Sequence, residues 1–273
     1  MSIEASDGLP TLTAENAVAR IHLNRPRQHN RFEPADVEAI AAMLDEIERD
    51  RSVRVLVVTA SGPSFSAGFN IGSIGSAGSY EQAFAFNRLC DRLEDLRMPT
   101  ICALNGSVYG GATDFALACD LRIGVRGSQM MMPPGRLGIQ YGYGGLRRYV
   151  ERLGLPAAQR LFLTAETIDA ETMLALGFLG ELVPPDALAG RVDALAAAVA
   201  ARAPDAVRGL KASLNAIARG RADPDEIHDR FVTAFTTPNA QEGLRAWKEK
   251  RLPRFTDDEC VNPVGGVSRD WKN

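Results

Sequence analysis

The run Val53-Arg54-Val55-Leu56-Val57-Val58-Thr59 is dominated by β-branched residues and shows no clean two-residue alternation. That pattern suits a strand covered on both faces, as in a parallel sheet. Upstream, Ala17 to Leu23 reads as another strand, ended by the Asn24-Arg25-Pro26 turn that Pro26 enforces. Between the two, Pro34 opens a helix whose inward stripe is Val37, Ile40, Ala41, Leu44 and Ile47, spaced for a 3.6 period. Downstream, Ser61 to Ser79 is dominated by Gly and Ser and reads as a loop. Tyr80 to Met98 carries Ala83, Phe86, Leu89, Cys90, Leu93 and Leu96 at helical spacing, and Pro99 stops it. Thr100 to Leu104 is a short strand, a helix opens at Gly110-Gly111, and Leu121 to Val125 and Gln129 to Met132 are strands again. This alternation predicts an α/β domain with mostly parallel strands joined by crossover helices. After Glu181-Leu182-Val183 the strand signals end, and Pro185 to Arg251 holds helical patterns only.

Composition bounds the function. With 273 residues, 45% hydrophobic and 24% charged, the chain can bury a large core, so a disordered, collagen-like or disulfide-scaffold protein is excluded. A formal charge of −3 gives no reason to expect nucleic acid as a partner. Cys90, Cys102, Cys119 and Cys260 include no C-x-x-C pair, and His22, His29 and His228 are the only histidines, so small buried thiols are expected and no metal site. The first residues carry acids where a signal peptide carries bases. The apolar stretch Leu188 to Ala203 is interrupted by Arg191, Asp193 and Arg202, so it reads as a packed helix and not a membrane span. A cytoplasmic location is expected.

The glycine-rich segments do not match phosphate-binding or hydrolase signatures. There is no G-x-x-x-x-G-K-[ST]; Gly142, Gly144 and Gly145 do not form G-x-G-x-x-G; no G-x-S-x-G is present. Two clusters are more informative. Phe65-Ser66-Ala67-Gly68-Phe69-Asn70 follows the buried strand, and Asn105-Gly106-Ser107-Val108-Tyr109-Gly110-Gly111-Ala112-Thr113-Asp114 follows the next strand and runs into a helix. Small residues at strand ends let backbone approach backbone or ligand closely. The first turn of the second helix presents free N–H groups at the positive end of its dipole. Either these glycines serve tight turns only, or two amides converge on one oxygen as an oxyanion hole.

Taken in register, these segments resemble the crotonase (enoyl-CoA hydratase/isomerase) superfamily from about Ala17 to Phe255. The resemblance rests on Leu23-Asn24-Arg25-Pro26, Phe65-Ser66-Ala67-Gly68-Phe69, Asn105-Gly106 through Gly110-Gly111, Ala118-Cys119-Asp120, Gly144-Gly145 and Lys250-Arg251-Leu252-Pro253-Arg254-Phe255. It implies a ββα spiral core over residues 1–200 carrying the site, a helical C-terminal oligomerisation part over 201–255, and a tail over 256–273. It also implies an acyl-CoA thioester whose carbonyl lies between the Phe69 and Gly111 amides, flanked by Ala67, Gly68 and Gly110, and chemistry through an enolate. Coenzyme A belongs to the substrate, so no separate cofactor is implied, and the assembly is a homotrimer or hexamer.

Two positions depart from the hydratases of that family. Their first glutamate corresponds to Asp114, about one turn past Gly111, and their second to Pro134, which cannot transfer a proton. Hydration is therefore disfavoured against decarboxylation or isomerisation. Around the gap, Gly106 to Ala112 and Leu137-Gly138-Ile139-Gln140-Tyr141 are most similar to the methylmalonyl-CoA decarboxylase branch, with Tyr141 at its active-site tyrosine. That branch carries a histidine at Phe69 and a threonine at Met132, so the pocket here is expected to be more apolar. Asp114 is either catalytic or a satisfied structural carboxylate, and Tyr143 is equally readable as packing. By the same resemblance Arg25 lies near the CoA moiety. Lys248, Lys250 and Arg251 are either phosphate contacts or a solvated basic face, and Phe255 is placed against adenine. The rival to an enzyme is an acyl-CoA-binding homologue without turnover.

Overall fold

The computed structural model describes residues 8–70, 72 and 79–257. Cys260, most of the expected tail, and residues 71 and 73–78 of the expected 61–79 loop lie outside these residues.

The chain opens with β1 (Thr11–Glu15) and β2 (Val18–Leu23), then α1 (Pro34–Arg49), β3 (Val55–Ala60) and β4 (Ser64–Ser66). α2 (Ser79–Asp95) leads to β5 (Thr100–Leu104), β6 (Ser107–Tyr109) and α3 (Gly111–Ala118). β7 (Leu121–Val125), β8 (Gln129–Met131), α4 (Pro134–Leu137), α5 (Tyr143–Leu153) and α6 (Leu155–Thr164) follow. β9 (Ile168–Asp169), α7 (Ala170–Ala175), β10 (Glu181–Val183) and α8 (Leu188–Ala200) come next. The last elements are α9 (Pro204–Ala218), α10 (Pro224–Ala234) and α11 (Pro238–Glu249). By compactness the chain divides into two units at Ala197/Ala198.

In the first unit the strands sort into two sheets. The larger has the order β1-β2-β3-β5-β7-β10, the smaller β4-β6-β8-β9. Consecutive strands alternate between them: β3, β5 and β7 join the large sheet, while β4, β6 and β8, directly after each, join the small one. This is the ββα spiral. β2, β3, β5, β7 and β10 are parallel, and only β1 runs antiparallel to its neighbour in that sheet. Val55 to Val58 are all buried, which is why the stretch lacks alternation. β2 has strand neighbours on both edges yet alternates, with Ala19, Ile21 and Leu23 inward and Val18, Arg20 and His22 only half-buried.

The helices are positioned by identifiable local signals. α1 starts at Pro34, the Glu33 amide donates to the Asp36 carboxylate (2.9 Å), and Val37, Ile40, Leu44 and Ile47 are buried. α2 ends at Asp95, three residues short of the expected Met98, because the residues before Pro99 are pushed out of helical geometry. α3 is buried from Ala112 to Ala118, so it threads the core with its N-terminus next to β6. The loop expected at 61–79 contains β4, paired with β6. A three-residue strand of Ser-Phe-Ser is too short to display periodicity, and β6 and β9 were hidden for the same reason. Cys90, Cys102 and Cys119 are free and buried.

In the second unit, Thr237 caps α11 by accepting from the Ala240 amide (3.0 Å), and Asn239 bonds Asp205 and Thr256 at 3.0 Å each. Leu210, Leu214 and Ile217 of α9, Phe231 of α10, Phe235 just after it, and Trp247 of α11 are exposed. Among the described residues no helix is long and apolar enough to cross a membrane.

Candidate active site

The site begins where β4 and β6 end side by side. After β4 the backbone forms a parallel bridge to Phe32: the Phe32 N–H donates to the Gly68 carbonyl (2.8 Å), and the Asn70 N–H donates to the Phe32 carbonyl (2.9 Å). In a parallel ladder the residue between those two bonds turns its own N–H to the other side. The Phe69 amide therefore points away from Phe32. The Gly110 amide donates to the Met131 carbonyl (2.9 Å), which fixes the entry to α3 and leaves the Gly111 amide as a first-turn donor. Among the described residues neither the Phe69 nor the Gly111 amide has a backbone partner.

The two segments touch. Gly68 has φ +93°, and a Cβ there would lie 2.5 Å from the Tyr109 carbonyl oxygen and 3.2 Å from the Gly111 nitrogen. Only glycine allows this approach. A Cβ on Gly111 would come within 3.5 Å of the Phe69 Cβ. Two unused amides on adjoining turns, one at a helix N-terminus, are donors of the kind that stabilise negative charge on an oxygen.

Over them lies a cavity of about 610 Å³ lined by Ala67, Phe69, Gly110, Gly111, Met132, Pro134 and Tyr141 among others. Much of its wall is apolar: Phe86 of α2 packs against Phe69 (ring centroids 5.3 Å apart), and Met131, Leu137 and Ile139 add to it. Its cations are Arg31 and Arg136; Arg31 pairs with Glu33 (2.6 Å). Among the described residues no carboxylate lines it.

Asp114 is fully buried and does not line the cavity. It sits behind Tyr141, whose hydroxyl donates to Asp114 Oδ2 (3.2 Å). Burial raises the Asp114 carboxyl above its ordinary value, against the pull of Arg148 and the Tyr141 hydrogen bond. The Tyr141 phenol is pushed well up by burial and by the negative Asp114. Of the expected catalytic positions, Tyr141 thus lines the cavity, while Asp114 stands one hydrogen bond behind it.

Other expected contacts are elsewhere. Gly68 shapes the wall without lining it. Arg25 lies outside the lining, and its Nε is held by the buried Asp36 carboxylate at 2.8 and 3.0 Å, so the guanidinium expected near CoA is already paired. Lys250 and Phe255 belong to the second unit. Lys250 is exposed and adopts φ +54° at the end of α11, while the Phe255 ring lies over Gly243. Arg251 is paired with Glu242 and Glu249 (2.6 Å each), and that pairing pulls the Glu242 carboxyl down to about 2. The structure adds residues the sequence did not single out: Phe86 and Asn87 of α2 in the wall, and Arg148 of α5 beside Asp114. The helical stripe of α2 pointed to Phe86 as core, but nothing in its spacing marks the end of that stripe that borders a cavity.

The family model described as enoyl-CoA hydratase/isomerase matches residues 13–258. A short-chain-enoyl-CoA hydratase of Clostridium acetobutylicum is 32% identical over 249 residues, covering 88% of this chain and 94% of that protein. A crotonyl-CoA hydratase of Syntrophomonas wolfei is 31% identical, covering 89% of this chain and 96% of that protein. The crystal structure of an enoyl-CoA hydratase from Bacillus anthracis superposes with a TM-score of 0.84 at 28% identity, covering 92% of this chain and all of that one. These relatives bear hydratase names and lend no support to the narrower likeness to the methylmalonyl-CoA decarboxylase branch.

Proposed function

This chain belongs to the enoyl-CoA hydratase/isomerase family, and we propose that it holds an acyl-CoA thioester carbonyl between the Phe69 and Gly111 amides and moves one proton through Tyr141. The observation that carries the reading is the pair of unpartnered amides on touching turns beneath an apolar cavity. Negative charge that develops on the thioester oxygen as an enolate forms is stabilised there by roughly 2.7–4 kcal/mol per donor. Ala67 and Gly110 border that oxygen, and Met132 and Phe69 face the acyl group, which favours hydrocarbon over polar acyl chains.

Proton transfer falls to Tyr141, backed by Asp114. One such unit suffices for isomerisation, where the same group removes a proton from one carbon and returns it to another. It also suffices for decarboxylation, where loss of CO2 creates the enolate and only a donor is needed. Adding water calls for a second placed group, and Pro134 stands in the wall where a carboxylate would supply it. Isomerisation or decarboxylation is therefore the first reading. Hydration of an enoyl-CoA is the second, favoured by the names of the relatives. Coenzyme A arrives with the substrate, and no other cofactor is part of the proposal. The exposed apolar side chains of α9, α10 and α11 suit a homotrimer or hexamer interface in the cytoplasm.

The test is to incubate the pure protein with crotonyl-, 3-enoyl- and methylmalonyl-CoA and follow products by mass spectrometry. The first reading expects 3-enoyl-CoA to shift its double bond or methylmalonyl-CoA to lose CO2, faster than crotonyl-CoA gains water. Rapid hydration of crotonyl-CoA would install the second reading. Tight CoA binding with no turnover of any thioester would overturn both in favour of a binding protein.

A further inference from the structure

Arg148 has no exposed surface, and its guanidinium is locked on one side. Nη2 donates to Asp91 (2.7 Å) and Nη1 to the Gly144 carbonyl (3.1 Å). Its Nε is left facing Asp114 Oδ1 at 3.5 Å, and both of those buried atoms lack a hydrogen-bond partner. Glu94 Oε2 lies a little farther from the same Nε, at 3.9 Å. A buried donor and a buried acceptor left unsatisfied side by side are costly in a folded protein unless function uses the gap. The other Asp114 oxygen holds the Tyr141 hydroxyl, and that ring borders the cavity. Gly145 completes the fit: a Cβ there would lie 2.2 Å from Tyr141 Cε1 and 2.8 Å from Asp114 Oδ2, so its absence lets α5 seat directly against the pair.

We infer that Arg148 is a positioning residue: it holds Asp114 in line with Tyr141 and pairs with the negative charge left on Asp114 when a proton passes outward to the substrate. The steps balance. As the enolate collapses to the thioester carbonyl, its electron pair forms a C–H bond with the Tyr141 proton. This step starts from Asp114 in its acid form, with the hydrogen bond reversed so that Oδ2–H donates to the Tyr141 oxygen; that oxygen takes the Asp114 proton as it gives up its own, and the charge that began on the enolate oxygen ends on the Asp114 carboxylate. The Arg148 Nε–H then closes on Oδ1. In isomerisation the same path run inward reloads Asp114.

The groups facing Asp114 are Arg148 and Tyr149 from α5, Tyr141 from the segment before it, and Cys90, Asp91 and Glu94 from α2. Arg148 and the Tyr141 hydrogen bond favour the carboxylate, while burial, Asp91 and Glu94 favour the acid. The expected signs follow. Removing the Arg148 charge moves the Asp114 midpoint to higher pH, and removing Asp91 moves it to lower pH.

The turnover arm of the test rests on the proposed function; the titration arm needs no substrate and fails or succeeds separately. The carboxylic-acid C=O band of Asp114, identified by its loss in Asp114→Asn, is followed by infrared difference spectroscopy against pH. Arg148→Met is expected to move the midpoint alkaline by roughly 1–3 units, the range an adjacent opposite charge commands, and Arg148→Lys to bring it back. Asp91→Asn, at a half-exposed position, is expected to move it toward acid. In turnover, the pH-profile limb moves with the same sign in Arg148→Met, and adding Arg148→Met to Asp114→Asn costs nothing more. An Asp114 midpoint that stays put in both Arg148→Met and Asp91→Asn overturns the inference. So does a full extra loss from Arg148→Met in the Asp114→Asn background.

Discussion

Gly68→Ala is the sharpest single perturbation of the proposed carbonyl site. The new Cβ would sit 2.5 Å from the Tyr109 carbonyl oxygen, a backbone atom that cannot rotate aside, and 3.2 Å from the Gly111 nitrogen. Carbon–oxygen contacts settle at about 3.3–3.6 Å, so the turns after β4 and β6 must part by roughly 1 Å. Displacement of that size costs about 10²-fold in rate, and complete loss of one donor about 10²–10³-fold in kcat. The strain of a side chain at φ +93° adds roughly 1–2 kcal/mol of destabilisation. Against a typical folding stability of about 5–15 kcal/mol, the protein still folds. The assay measures kcat and KM on the thioester the parent turns over best, together with CoA affinity by calorimetry. The expected result is a kcat lowered about 10²-fold with CoA affinity little changed. A folded Gly68→Ala protein with parental kcat would refute the idea that the spacing of these turns matters to the chemistry.

Tyr141→Phe keeps the ring against Phe162 and removes only the hydroxyl; kcat should fall about 10²–10⁴-fold with KM nearly unchanged, as steady-state kinetics would show. Asp114 also makes a stability prediction. Its folded value lies above 3.8, so its contribution is fully present below that pH and is lost as pH rises through the folded value. In urea titrations across pH the parent should lose stability relative to Asp114→Asn as pH rises; a constant difference would contradict the raised value. Asn87 lines the cavity, half-buried, with its amide packed on Gly142. Replacing it with leucine should shift calorimetric preference at least about tenfold from 3-hydroxyacyl-CoA toward plain acyl-CoA of equal length.

The long elements were legible because burial writes itself into spacing. Val55 to Val58 carry no alternation because both faces are covered, and α1 declares its inner stripe in Val37, Ile40, Leu44 and Ile47. The short strands β4, β6 and β9 were not, since two or three residues cannot show a period and their pairing partners lie far along the chain. The glycine clusters did reveal where two turns could meet, and Gly68 against Tyr109 and Gly111 bears out that close approach. Side-chain reach was the weak point. Asp114 lies on the turn that spacing indicated, but whether its carboxylate or a tyrosine from 27 residues onward meets the cavity depends on a loop path no local pattern encodes. Arg25 and Arg251 were attractive as free cations because sequence shows charge and hides partners; Asp36 and Glu242 had already claimed them.

The most direct measurement is a crystal structure of the protein with an unreactive acyl-CoA thioester. The account predicts the thioester oxygen within about 2.7–3.1 Å of both the Phe69 and the Gly111 nitrogens, with the acyl chain along Phe86 and Met132. A carbonyl bound away from those amides, or reached by only one of them, would contradict it.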